Sequence, residues 1–256
     1  WYFPKKVANL NEITNYCNRR TNSAEIKDFP GACNGLQVEN KGEIRKIGAA
    51  VDAGLVPFRL AIEEDVDLLI VHHGLFWSPL QPITESNYQK VATLLEGNLA
   101  LYSSHLPLDC HPEIGNNYLL ARLLDLEPEE TFLPFEGVDI GLITLGINRE
   151  NLKERLIESF NGKITSIEFG KKKPERIAIL TGSGASAIKE LRNNGIDTLI
   201  TGELRQNHFN QAQEEGLNIY LCGHYATEVF GVCALAEEIS QRFKIPWTFL
   251  STDCPL

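Results

Sequence analysis

The chain has 256 residues, with 24 basic and 34 acidic side chains and a formal net charge of −10 when histidine is neutral. Hydrophobic residues make up 43% and charged residues 23%, a globular composition that excludes a disordered or fibrous chain. The acidic excess argues against an extended nucleic-acid or anionic membrane surface, since both require basic side chains. Small phosphates can still bind locally, through metal ions or backbone N–H groups.

The six cysteines include no C-x-x-C pair, which favours reduced thiols and a cytoplasmic location over a disulfide-stabilised secreted protein. Residues 1–6 carry a basic pair without an apolar segment behind it, so no signal peptide is predicted. The longest aliphatic run, at 68–71, is far shorter than the ~20 apolar residues that span a bilayer. We therefore expect a cytoplasmic chain without a membrane partner.

The first half of the chain predicts a β-α-β unit at 46–73. A short apolar run leads to a glycine turn, an amphipathic stretch of about 11 residues and a buried strand at 67–71. The elements expected next are a strand at 99–102, a helix at 113–126 with a leucine stripe, and an exposed Glu- and Pro-rich connection at 127–137.

The second half predicts another β-α-β unit, at 176–203, in which a right-handed crossover joins parallel strands. Before it, a strand, a helix and a second strand are expected within 142–169. The lysine-rich run 171–174 is interpreted as a solvated linker that separates two lobes. The elements expected after the unit are a strand at 219–222, a helix at 225–243 and a strand at 246–250.

The two halves repeat each other in sequence. The segments that align are 46–73 with 176–203, and 101–109 (LYSSHLPLD) with 220–228 (YLCGHYATE). We therefore predict an α/β fold of two pseudo-repeated lobes, with central mixed or parallel sheets flanked by helices. The first lobe is assigned to 1–128 and the second to 129–256, together forming one compact unit with a dinuclear metal site in the cleft between them.

Two adjacent histidines, His72 and His73, follow the predicted strand 67–71, at the strand end where ligands collect in open α/β sheets. Neighbouring strand residues point to opposite faces, so one ion binds both only if the backbone bends there. Otherwise the pair serves two ions or brackets one site. Hydrogen bonding in the core or at the surface is the alternative to metal binding.

Asp109 follows the strand 99–102 in the segment HLPLD, where Pro107 disfavours a helix and favours an extended turn. Its alternative role is to cap the next helix. His105 and His111 lie nearby as further candidate ligands, and His105 can instead hold the site together by hydrogen bonding to a ligand.

His224 and Glu228 stand four residues apart at the start of a predicted helix, which puts both side chains on one helix face about 5–6 Å apart at Cβ. The alternative is a polar pair that stabilises a solvated helix. With His72, His73 and Asp109 they form a set of five donors without cysteine. Such donors favour Zn²⁺, Fe²⁺ or Mn²⁺, and five of them suit two ions about 3.5–4 Å apart.

Three motifs resemble those of the Nif-three-like family, whose members are often labelled GTP cyclohydrolase I type 2 homologues. The motifs are VHHGLFW at 71–77, HLPLD at 105–109 and GHYATE at 223–228. Shorter segments also match: NGLQV at 34–38, GNN at 115–117 and TGE at 201–203. The resemblance runs from about residue 10 to the C-terminus and implies the compact form, without the inserted domain of some members.

The resemblance implies a dinuclear metal centre and a ring-shaped homohexamer. The implied ligands are His73 and Asp109 on one ion, His72 and His224 on the other, and Glu228 as the bridge. The chain departs from close relatives at Tyr225, where they have a second histidine, so a residue that can contact the substrate has changed.

Glu203 is the second-half counterpart of His73. A carboxylate at this strand end can act as a general base or orient a ligand; capping a helix or pairing with Arg205 is the alternative. His208 is a weaker candidate on the following helix.

The leading hypothesis is a metal-dependent hydrolase acting on a nucleotide or phosphoester-like small molecule, with GTP cyclohydrolase activity suggested only by the family label. A non-enzymatic metal-binding scaffold or regulatory protein in a ring-shaped homo-oligomer is the first alternative. Dinucleotide binding is the second, because GSGASA at 182–187 satisfies G-x-G-x-x-A. The matching turn of the first half lacks this pattern, so we favour a tight turn as the reason for these glycines.

Overall fold

The computed structural model describes residues 6–77, 79 and 81–256. Its helices and strands, in chain order, are β1 (Ala8–Asn9), α1 (Leu10–Arg20), β2 (Gly35–Val38), β3 (Glu43–Ile44), β4 (Ile47–Asp52), α2 (Leu55–Glu63), β5 (Leu68–His73), α3 (Glu85–Glu96), β6 (Ala100–Ser103), α4 (Leu106–Asp109), α5 (Asn116–Leu123), β7 (Pro128–Phe135), β8 (Val138–Leu145), α6 (Arg149–Ser159), β9 (Thr165–Glu168), β10 (Arg176–Ser183), β11 (Thr198–Glu203), α7 (Asn207–Glu215), β12 (Asn218–Leu221), α8 (His224–Phe243) and β13 (Trp247–Phe249). The prediction about a signal peptide concerns mainly residues 1–5, which lie outside the described residues.

Residue contacts divide the chain into two units. The first extends to Leu108 and resumes at Gly231–Asp253, and the second comprises Asp109–Phe230 with Cys254–Leu256. The assignment of domains to 1–128 and 129–256 stays a prediction. Within the described part of the chain, no helix combines the length and hydrophobicity needed to cross a membrane.

The first unit contains a five-stranded sheet in the order β13-β4-β5-β6-β2. Strands β13, β4, β5 and β6 are parallel, and β2 pairs antiparallel with β6. The central strands are continuous apolar runs because parallel strands covered on both faces must be apolar throughout. Leu69 and Leu101 are fully buried in its core, together with Phe58 from α2.

The second unit contains a six-stranded sheet in the order β7-β8-β10-β11-β12-β9. Strands β10, β11 and β12 are parallel, whereas β8 and β9 pair antiparallel with β10 and β12. Its core includes Ile179, Ile200 and Tyr220 from the sheet, with Leu120 from α5 and Leu156 from α6. The predicted α/β fold with repeated, helix-flanked mixed sheets is therefore confirmed, as is the strand-helix-strand order within 142–169.

The Glu- and Pro-rich segment 127–137, predicted as an exposed connection, instead contains strand β7, which pairs antiparallel with β8. Proline lacks a backbone donor and is tolerated in edge strands. Strand β7 is an edge of its sheet, so Pro128 and Pro134 do not prevent pairing. The side chain of Phe132 is buried, so this strand also contributes an apolar contact that the Glu- and Pro-rich composition of the segment does not suggest.

Two other predictions about connections are wrong. The run 171–174 does not separate lobes, because it joins β9 and β10 of the same sheet. The crossover between β10 and β11 is a series of turns followed by a 3₁₀ helix at Arg192–Asn194, where an amphipathic helix was predicted. The carbonyl of Gly184 accepts from the N–H groups of both Ala187 and Ile188, a tightened turn that does not continue as an α-helix.

Candidate metal centre

The last two residues of β5 are His72 and His73. The His72 ring is fully buried, and its Nδ1 lies 3.0 Å from the carbonyl oxygen of Ser104. His73 Nδ1 lies 2.8 Å from Oδ1 of Asp52, the residue opposite it on β4. A neutral imidazole that donates from Nδ1 carries its lone pair on Nε2. Both rings are therefore oriented as metal ligands usually are.

His105 is held in the same way, with its Nδ1 2.8 Å from Oδ1 of Asp28. Burial would by itself raise the pKa of Asp28, but the hydrogen bond and charge of His105, with a hydrogen bond from Asn34, lower it below its ordinary value. A buried carboxylate thus stays ionised behind this imidazole. His105, which is predicted to hold the site together by hydrogen bonding, also belongs to a cluster of imidazole rings. Its ring centroid lies 4.9 Å from the ring centroid of His72.

The three imidazoles of the first unit form a group that fits a metal ion. One ligand nitrogen from each of His72, His73 and His105 lies within 4.8 Å of the other two. Three imidazole nitrogens, each oriented through the second nitrogen of its ring, are a suitable donor set for zinc, iron or manganese. The geometry therefore supports metal binding over the alternative of ordinary core hydrogen bonding.

In the second unit, His224 is the first residue of α8 and Glu228 lies one turn later. His224 Nε2 is 3.2 Å from Glu228 Oε2, and its Nδ1 is 3.1 Å from Glu203 Oε1. The hydrogen bond to Glu228 is the largest cause that raises the pKa of His224 to about 9; desolvation opposes it and Glu203 adds to it. Without metal, an imidazolium between two carboxylates is favoured, so metal binding at His224 must release a proton.

Gly182 leaves space beside this pair. Its φ of +67° is left-handed, and a Cβ at this position would collide with Glu228 Oε1 and lie 3.1 Å from His224 Nε2. Glycine is required here both for the backbone conformation and for the room that the two side chains occupy. The structure therefore gives a reason for the first glycine of the G-x-G-x-x-A segment that does not involve a dinucleotide.

Asp109 is the last residue of the short helix α4, although Pro107 was predicted to favour an extended turn. Proline is tolerated in the first turn of a helix, where no intrahelical donor is needed. Asp109 Oδ1 accepts hydrogen bonds from Asn116 Nδ2 at 2.7 Å and Thr181 Oγ1 at 3.4 Å. The next helix has Gly115 as its N-cap, so Asp109 does not cap it.

The remaining candidates have other partners. His111 Nδ1 accepts from the N–H groups of Glu113 and Ile114, so it stabilises a turn. Glu203 bonds His224, and it does not form the predicted alternative pair with Arg205. His208 Nδ1 accepts from a backbone N–H at 3.1 Å.

Two carboxylates that hold the histidines, Asp28 and Asp52, were not predicted from the sequence. Asp52 ends the first strand of the β-α-β unit. Pairing the two predicted parallel strands of this unit would have placed Asp52 opposite His73. Asp28 lies in a loop far from His105 in the chain, and no spacing pattern marks it.

Sequence comparison relates nearly the whole chain to known proteins. A profile of the Duf34/NIF3 (NGG1p interacting factor 3) family matches residues 8–255. A Deinococcus radiodurans protein named GTP cyclohydrolase 1 type 2 homolog is 41% identical, over 85% of this chain and 84% of its own length. A protein of the same name from Archaeoglobus fulgidus is 35% identical, over 94% of this chain and 97% of its own length.

Solved structures are similar over the same extent. TTHA1606 from Thermus thermophilus superposes with a TM-score of 0.85 and 38% identity, covering 97% of this chain and 100% of that one. Protein ybgI, described as of unknown function, superposes with a TM-score of 0.89 and 33% identity at the same coverage. Reduced HcgD from Methanocaldococcus jannaschii gives a TM-score of 0.83 at 28% identity, covering 96% of this chain and 98% of that one.

Proposed function

The chain belongs to the Duf34/NIF3 family, and on that premise we propose that it is a metal-dependent hydrolase acting on a nucleotide or phosphoester-like small molecule. The proposed ligands of two divalent ions are His72, His73, Asp109, His224 and Glu228. Zn²⁺, Fe²⁺ and Mn²⁺ all suit this donor set. The GTP cyclohydrolase name belongs to the relatives, and for this chain we propose the broader class.

The observation that carries the proposal is the orientation of the histidines of the first unit. His72 and His73 each have Nδ1 held by a protein oxygen, and His105, with the same arrangement, lies in the same group. Metal-ligating histidines usually donate their second ring N–H to a protein oxygen in this way. When bound, divalent ions supply Lewis acidity at the bond under attack and lower the pKa of a water molecule.

The protein side chains orient donors and hold protons. Asp52 fixes the His73 ring, and Asn116 holds the carboxylate of Asp109 in one direction through its hydrogen bond. Glu203 accepts from His224 Nδ1, so it orients that imidazole. We propose that this exposed carboxylate also serves as the general base, because it can hold a proton at Oε2 while Oε1 accepts from His224.

Metal analysis of the purified full-length protein tests the proposal. We expect two divalent ions per chain in the native protein and loss of at least half of the metal in His73→Ala and Glu228→Ala. Glu158→Ala, an exposed carboxylate on α6, is the matched control and should retain its metal. Full retention of metal by both site variants would contradict the ligand assignment. A melting curve for each variant shows whether metal loss reflects unfolding.

Turnover distinguishes a hydrolase from a metal-binding scaffold. Metal-loaded protein should hydrolyse at least one compound among nucleotides and phosphodiesters, and the two site variants should lose that activity. A protein that keeps its metal and hydrolyses none of them is better described as a scaffold or regulatory protein.

We also propose that the chain assembles into a homohexameric ring. Light scattering on the purified protein should give six times the mass of one chain, and a monomer mass would exclude the ring.

A further inference from the structure

The second unit has a cavity of about 390 Å³ whose lining includes Ser183, Lys189, Glu203, Arg205 and His208. Ser183 and Glu203 are paired at the ends of the parallel strands β10 and β11. The cavity therefore lies at the carboxyl ends of these strands, the edge at which α/β sheets bind ligands. Its volume is within the usual range for small-molecule sites.

The cavity carries two cations that the protein itself does not neutralise. Within the described part of the chain, neither the Lys189 ammonium nor the Arg205 guanidinium forms an ion pair or side-chain hydrogen bond. Both side chains are exposed and line the cavity. The one carboxylate of the lining, Glu203, is bonded to His224. The surplus of positive charge favours an anionic ligand.

His208 adds a directed hydrogen-bond donor. Only 7% of this residue is exposed, and its Nδ1 accepts the backbone N–H of Arg205 at 3.1 Å. A neutral ring that accepts at Nδ1 must carry its proton at Nε2. No protein acceptor for Nε2–H is found among the described residues, so this buried ring offers a donor to the cavity that it lines.

The glycine-rich turn contributes backbone donors in place of the predicted helix. Residues 185–191 form turns, and the N–H groups of Ala185 and Ser186 find no acceptor within the described residues. Successive N–H groups in a turn form a concavity that binds anions. A dinucleotide site needs an α-helix directly after G-x-G-x-x-A, and that helix is absent from this described segment. The segment therefore suits a single phosphate group better than a dinucleotide.

We propose that this cavity binds the phosphate group of a phosphorylated small molecule, held by Lys189, Arg205 and His208 Nε2–H. A role for this phosphate site in catalysis rests on the proposed function. Glu203 lines the cavity and also bonds His224 Nδ1, so a phosphate held there lies beside residues proposed to bind metal. The substrate class is thereby narrowed to small molecules with a terminal phosphate.

Calorimetric titration of the full-length protein tests the assignment, with a nucleoside 5′-monophosphate, the corresponding nucleoside and inorganic phosphate as the three probes. The native protein should bind the monophosphate at least about tenfold more tightly than the other two. The double variant Lys189→Gln/Arg205→Gln should lose that preference, because charge-assisted contacts are removed. The control Arg122→Gln/Lys173→Gln removes the same charge from exposed positions of the same unit and should keep it.

Three results would overturn the assignment. These are equal affinity for nucleoside and monophosphate, equal affinity for inorganic phosphate and monophosphate, and equal losses in the two double variants. Repeating the titration after chelation separates this inference from the proposed function. If the native protein holds no metal but keeps the monophosphate preference, only the hydrolase proposal fails; if it retains metal without the preference, only the phosphate assignment fails.

Discussion

The two units share a parallel three-stranded core, β4-β5-β6 in one and β10-β11-β12 in the other, but their strand ends carry different chemistry. Strand β5 ends in His72 and His73, whereas β11 ends in Gly202 and Glu203. The first unit gathers three imidazoles, and the second places His224 between two carboxylates. One repeated framework thus presents mainly nitrogen donors in one unit and mainly oxygen donors in the other, because the residues at the corresponding strand ends differ.

The crossovers differ as well. In the first unit Gly54 precedes the regular helix α2, whereas in the second the chain after Gly184 forms turns and a short 3₁₀ helix. In this irregular crossover the N–H groups of Ala185 and Ser186 have no acceptor among the described residues, and Lys189 lines a cavity. The two units therefore differ in their candidate metal donors and in the crossover beside the sheet, while their three parallel strands have the same order.

The largest expected effect tests whether the two cores are energetically equivalent. Leu69 and Leu199 occupy matching repeat positions, and both are fully buried. Leu69→Ala and Leu199→Ala should each lower the free energy of unfolding by about 2–5 kcal/mol, through lost transfer energy and a residual cavity. Denaturant titration measures both. Leu123→Ala, at a residue 48% exposed, is the control and should cost much less; a small loss at one buried position would show that the two cores are not equivalent.

A smaller difference, about 1–3 kcal/mol between two glycine variants, is expected from filling the space beside the His224–Glu228 pair. Gly182 and Gly195 have the same φ of +67°, but only Gly182 has a functional side chain where the Cβ would lie. Gly195→Ala should cost about 1–2 kcal/mol from left-handed strain alone. Gly182→Ala should cost about 1–3 kcal/mol more, from overpacking, and should also lower the metal content. Identical stability and metal content in the two variants would refute the role given to Gly182.

The smallest effect concerns how the nitrogen-rich unit orients its donors. Asp52→Asn keeps the size of the side chain but removes the charge that holds His73 Nδ1. Metal affinity should fall by about 10–100-fold with little change in the unfolding midpoint, as measured by competition with a chelator. Asp139→Asn, whose carboxylate bonds only Thr131 among the described side chains, should leave metal affinity unchanged. An unchanged affinity in Asp52→Asn would show that His73 needs no carboxylate partner.

Much of the fold could be predicted because the apolar residues that become buried form recognisable patterns within short segments of the sequence. The apolar runs of β4, β5, β10 and β11 predicted parallel strands, and the polar residues directly after them predicted a site at the strand ends. Strand β7 could not be predicted in this way. Its Glu and Pro residues are typical of a loop, and only the pairing with β8 makes an edge strand of it.

The sequence by itself determined the repeated α/β framework and the types of donor at its strand ends, since both follow from patterns within short segments. Tertiary structure alone decided which ring nitrogen of each histidine is available. Asp28 meets His105, and Asp52 meets His73, across long stretches of chain. It also decided that Lys189 and Arg205 line one cavity, because that proximity depends on an irregular crossover whose turns no periodicity predicts.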